Sequence, residues 1–105
     1  MFEKKIIFTK HATQRGIDRD IDLNSIKNII YNGIEEIDWQ STSFSKNEDV
    51  IYIGKIGDKY WTIPCLKKKR CIVVKTIKES NRDEITIYKK QDIEKRERKK
   101  NGGKK

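Results

Sequence analysis

The sequence has one proline, one histidine and two cysteines in 105 residues, and it has no long apolar run. A membrane-spanning helix needs about 18 or more consecutive apolar residues. Near the start only Ile6, Ile7 and Phe8 are contiguous, too short for the hydrophobic segment of a secretory signal. A cytosolic protein without a membrane partner is therefore expected. Cys65 and Cys71 are too few for a disulfide scaffold and lack zinc-ligand partners at useful spacing. With His11 they make three soft ligands at most, so no metal and no other cofactor is expected. Hydrophobic residues amount to 34% of the chain, enough for one thin two-layer core.

Charge is what the sequence has in excess. Charged residues make up 39% and the formal net charge is +9. Residues 1–49 carry seven Lys/Arg against nine Asp/Glu, residues 50–88 nine against four, and residues 89–105 nine against three. The middle segment is basic without help from the tail. An anionic partner, RNA first, is the class this balance favours.

Hydrophobic periodicity and turn residues divide the chain into residues 1–90, a single α+β domain, and residues 91–105, a basic tail that is either disordered or helical. Residues 4–9 read as a short strand. Thr9 can cap a brief helix through Arg15, stopped by Gly16 in the left-handed position. Asp22 can cap a second helix with Leu23, Ile26, Ile29 and Ile30 at helical spacing, closed by Asn32 and Gly33. Residues 34–39 read as extended and 41–47 as a polar loop. Four strand-like segments follow, 50–56, 59–66, 71–78 and 84–89, joined by Gly57-Asp58, a basic turn at 67–70 and a polar turn at 80–83. The predicted fold is two N-terminal helices on one face of a four- to five-stranded antiparallel meander.

The turns fix a register, and register decides which side chains are neighbours. Gly57-Asp58 pairs Ile56 with Lys59, Tyr52 with Ile63 and Ile53 with Thr62. A basic turn centred on Lys68 sets Trp61 opposite Lys75, Thr62 opposite Val74 and Cys65 opposite Cys71. A third turn pairs Lys75 with Tyr88 and Ile77 with Thr86. One face then gathers Ile51, Ile53, Thr62, Ile72, Val74, Ile85 and Ile87 for the helices to cover. The other gathers Tyr52, Trp61, Lys75, Thr86 and Tyr88. Aromatic rings beside a lysine suit unstacked bases and phosphates, although strand aromatics usually serve packing. Lys67, Lys68, Lys69 and Arg70 extend that cationic surface, or are simply a solvated turn.

His11 and Arg15 lie four residues apart, on one face of the first helix. Metal-independent RNA cleavage by 2′-hydroxyl attack needs proton-transfer groups and cations for the charged phosphorane. His11, Arg15, Lys75 and Tyr88 are residue types that supply them; the plain alternative is a histidine that caps or packs.

The run Phe8-Thr9-Lys10-His11-Ala12, then Arg15-Gly16-Ile17, an acidic linker, a helix ending in Asn32-Gly33 and a terminal Ile85-Thr86-Ile87-Tyr88 resembles a group of small bacterial and archaeal proteins. These start with a His-Ala helix and an Arg-Gly-Ile turn and end with a Thr-x-Tyr strand, a layout similar to the RelE/ParE-like toxins. The resemblance implies a helices-before-sheet fold, a candidate site of His11, Arg15, Thr86 and Tyr88, and an antitoxin partner. Many such toxins are ribonucleases; those of the gyrase-poisoning type are not, so layout alone does not fix activity. The leading expectation is a toxin-like endoribonuclease, monomeric or homodimeric. Its rivals are a non-catalytic RNA- or DNA-binding module and a domain that binds an acidic protein, either an antitoxin or a replication enzyme.

Overall fold

Thr9 both ends the first strand and starts the first helix. Its backbone N–H donates to Val74 O at 3.3 Å, and its hydroxyl donates to Lys75 O while accepting from Ala12 N at 3.0 Å. The computed structural model describes residues 5–38 and 48–102, with the side chains of 5–38 and 49–94. The elements are β1 (Lys5–Phe8), α1 (Lys10–Asp18), α2 (Leu23–Asn32), β2 (Ile34–Ile37), β3 (Glu48–Ile56), β4 (Lys59–Lys67), β5 (Cys71–Val74), β6 (Lys78–Glu79) and α3 (Arg82–Gly102). Trp39 and the polar loop at 41–47 lie outside the described residues. Among the described residues no helix is long and apolar enough to cross a membrane.

The caps at Thr9 and Asp22 stand as expected, Asp22 accepting from Asn24 N at 3.2 Å. Gly16 does not end α1. It is a buried helical residue packed near Leu23 and Ile77, and the left-handed conformation falls instead to Asp20, at φ 55°.

The sheet is mixed rather than an antiparallel meander. Its order is β1-β5-β4-β3-β2, with β1 parallel to β5 and the other pairs antiparallel. The Gly57-Asp58 hairpin has the expected register, and Gly57 takes φ 63° there. Across the basic turn the register is three residues away from expectation at Cys65 and four at Trp61. Cys65 faces Val74, not Cys71, and Trp61 faces Glu79, not Lys75. Between Cys65↔Val74 and Thr62↔Lys78, three steps on β4 oppose four on the returning chain. That extra residue is a bulge, and it turns Ile77 into the core.

The fourth expected strand, 84–89, is helix. Asn81 and Glu84 form a capping box: Glu84 N donates to Asn81 Oδ1 at 2.8 Å and Asn81 N donates to Glu84 Oε1 at 2.9 Å. Glu84 is only 1% exposed, and Lys78 Nζ lies 3.1 Å from its Oε2. Initiated this way, α3 runs through residue 90 without a break.

Both faces of the sheet are consequently covered, and the expected division of residues between them fails. Tyr52, Trp61, Ile63, Cys65, Ile72, Val74 and Ile77 form one core with Ala12, Ile26, Ile29 and Ile30 of α1 and α2. Ile51 and Ile53 alternate with Tyr52 and point the other way, buried on the side where α3 lies. Thr62 is on that side too, its hydroxyl 2.7 Å from Ser80 Oγ in a buried hydrogen bond. At Gly54 α2 lies close against the sheet: a Cβ there would lie 2.7 Å from Ile29 Cγ1.

Candidate nucleic-acid interface

The hairpin that the sequence encodes most clearly also brings aromatic and cationic side chains together. Gly57-Asp58 places Lys55 directly opposite Tyr60, both on the α3 side by alternation with Gly54 and Trp61. The capping box starts α3 so that Tyr88 meets Tyr60, their ring centroids 5.4 Å apart and inclined at 66°, an edge-to-face pair. Lys55 Nζ is 5.5 Å and Lys89 Nζ 5.7 Å from the centroid of Tyr60. Both rings are half-buried and both lysines exposed. Among the described residues neither Lys55 nor Lys89 is ion-paired. Beside this group lies a cavity of about 160 Å³ whose lining includes Asn28, Asn32, Lys55 and Tyr88. Asn32 Nδ2 donates to Asn28 Oδ1 at 2.7 Å.

Physically, this arrangement gathers two half-buried rings, two exposed ammonium groups and two side-chain amides within one patch. Rings supply stacking, cations meet phosphates, and amides read polar edges. Nothing in it requires a metal, and among the described residues no three His, Cys, Asp or Glu side chains are grouped to hold one.

The residues singled out from sequence are distributed differently. His11 and Arg15 do share a face of α1, with Arg15 Nε donating to His11 Nε2 at 3.4 Å, and both are exposed. Tyr88 and Thr86 belong to α3, on the opposite side of the sheet. Thr86 is exposed and its hydroxyl donates to Arg82 O at 2.9 Å, a bond within its own helix. Lys75 is engaged by carboxylates, 2.8 Å from Asp49 Oδ1 and 3.8 Å from Asp38 Oδ2. The five candidates thus fall into three separate places.

The expected stacking platform of Tyr52 and Trp61 is core. Tyr52 is 3% exposed and donates its hydroxyl to Glu35 at 2.6 Å; Trp61 is 6% exposed with the Arg19 guanidinium 5.7 Å from its ring. Of the basic turn, Lys67 pairs with Glu35 at 3.0 Å, whereas Lys68, Lys69 and Arg70 are exposed. Both cysteines are free. Burial pushes the Cys65 thiol far up, partly opposed by the charge of nearby Lys75, so it is no nucleophile.

Sequence reasoning missed Lys55, Tyr60 and Lys89. The signal for the first two was present, because the correct hairpin register already set Lys55 against Tyr60. Lys89 could not be placed while 84–89 was read as a strand. No family model matches the chain, and neither a curated protein nor a solved structure does.

Proposed function

We propose that this protein binds single-stranded nucleic acid, RNA in the first instance, without cleaving it. The observation that carries the reading is the Tyr60–Tyr88 pair with Lys55 and Lys89 beside it, on a chain of net charge +9. Every base has a π face, and a base stacked on an aromatic side chain contributes about 1–3 kcal/mol. Unpaired strands present those faces, whereas duplexes hide them, which favours a single-stranded ligand.

The test is fluorescence anisotropy with a labelled single-stranded RNA, compared with single-stranded and duplex DNA of the same sequence. Tyr60→Leu and Tyr88→Leu keep apolar bulk and remove the ring; each should weaken binding by about 5- to 150-fold, the equivalent of one lost stack. Lys55→Ala should lower the salt dependence by about 0.7, one phosphate contact. Tyrosine variants that fold normally and bind as tightly as the parent would refute the reading, as would a preference for duplex DNA.

One observation favours the ribonuclease reading, the exposed His11–Arg15 pair. It calls for RNA breakdown in EDTA that His11→Ala suppresses. Under the binding reading the RNA stays intact through prolonged incubation, and His11→Ala binds it normally.

A further inference from the structure

The cavity beside Tyr88 measures about 160 Å³. Pockets that take a whole small molecule begin at roughly 300 Å³, so this one suits the edge of a ligand and not its body. Asn28 and Asn32 line it one turn apart on α2, Lys55 from β3 and Tyr88 from α3. A base stacked against Tyr88 brings its edge to those amides. Among the described lining residues there is no carboxylate.

The hydrogen bond from Asn32 Nδ2 to Asn28 Oδ1, 2.7 Å long, orients both amides. It turns the oxygen of Asn28 towards Asn32, so the amino end is what Asn28 offers a ligand. Asn32 keeps a second N–H and its own oxygen. Both side chains are exposed, and among the described residues neither has another hydrogen-bond partner.

We propose that this cavity reads the stacked base and favours uracil and guanine over cytosine and adenine. This rests on the RNA-binding reading and adds a sequence preference to it. The first two bases carry a carbonyl oxygen at their outer corner, where the other two carry an amino group. The Asn32 amide matches either kind, because its N–H and oxygen pair with O4 and N3–H of uracil or with N3 and N4–H of cytosine. Lys55 is the phosphate contact and serves every base alike. Asn28 therefore decides: its amino group donates to a carbonyl, whereas an amino group opposite sets donor against donor and leaves both unmatched.

The experiment uses the full chain with fluorescein-labelled oligouridylate and oligocytidylate of equal length, at one salt concentration. The two bases have the same ring size, so stacking is nearly matched and the edge makes the difference. Oligouridylate should bind about 5-fold more tightly or better, the lower end of what an unmatched polar group costs. Asn28→Ala, at an exposed helical position where alanine is well tolerated, should bring the ratio close to one. Asn28→Asp presents an oxygen in place of the amino group and should reverse the preference; its charge weakens both oligonucleotides and cancels in the ratio. Tyr60→Leu should weaken both and leave the ratio unchanged. Equal binding of the two by the unsubstituted protein, a preference for cytosine, or a preference that survives Asn28→Ala overturns the base-reading role. If Tyr60→Leu still weakens binding in any of those cases, the RNA-binding reading stands. An unsubstituted protein that binds neither oligonucleotide overturns both.

Discussion

Replacing Gly54 by alanine tests the packing on which the interface rests. The added Cβ would sit 2.7 Å from Ile29 Cγ1, 2.8 Å from Cγ2 and 3.1 Å from Cβ. Carbon atoms prefer a separation of about 3.5–4.0 Å, so about 1 Å of room is missing. Ile29 cannot easily turn away, because a β-branched side chain in a helix has one strongly preferred rotamer, and it is buried. The remaining escape is for α2 to lift off β3. Overpacking of this kind costs about 1–3 kcal/mol, offset by about 0.4–1 kcal/mol from the stiffer unfolded chain. A net loss of about 1–2 kcal/mol is expected, read by urea unfolding monitored by circular dichroism. In an Ile29→Ala background both γ-carbon clashes are gone and the 3.1 Å approach to Cβ is what is left, so the same substitution should cost clearly less. The reasoning is refuted if Gly54→Ala costs the same in both backgrounds. Gly54 also lines the cavity beside Lys55 and Tyr88, so the displacement should weaken RNA binding in the parent background and spare it in the double variant.

Trp61→Ala should destabilise by about 3–5 kcal/mol, the cost of emptying a core aromatic site; loss of RNA affinity without loss of stability would contradict its burial. Glu84→Ala removes half of the capping box and leaves Lys78 without its carboxylate. Unfolding should become easier by about 1–3 kcal/mol, with the helical signal of α3 reduced. In mildly alkaline buffer iodoacetamide should modify Cys71 alone, Cys65 reacting only after denaturant is added. Burial raises the Cys65 thiol far above its ordinary range, so raising the pH within the stable range should not expose it as thiolate. Prompt labelling of both cysteines would sink that assignment.

The first half of the fold was legible because its punctuation is local. Thr9 and Asp22 are caps, Asn32-Gly33 ends α2, and Gly57-Asp58 admits one hairpin geometry. The C-terminal third was misread for two physical reasons. Ile85, Thr86, Ile87 and Tyr88 are β-branched or aromatic residues that mimic a strand, yet the Asn81…Glu84 box commits the backbone to a helix before their preference applies. Alternation also lost its meaning in β3, where Val50, Ile51, Tyr52 and Ile53 are all buried. A strand covered on both sides does not announce which face is which. The register slip after β4 began at the turn, where Lys67 pairs with Ile72 instead of the chain reversing about Lys68, and the bulge added one residue more; no glycine or proline gave warning of either. The site suffered in proportion: Lys55 and Tyr60 stood within the readable hairpin, while Tyr88 and Lys89 needed the helix.

The parallel pairing of β1 with β5 sets an order of events during synthesis. Among the described residues, Lys5 pairs with Cys71 and Phe8 with Val74, and β1 joins no other strand. Until that distant segment has left the ribosome, Ile6 and Phe8 have no sheet to join, while the Gly57-Asp58 hairpin can already zip from its turn. The opening residues of the chain are therefore among the last to be secured, and a delay in translation between them and β5 lengthens the time for which apolar side chains are open to chaperones.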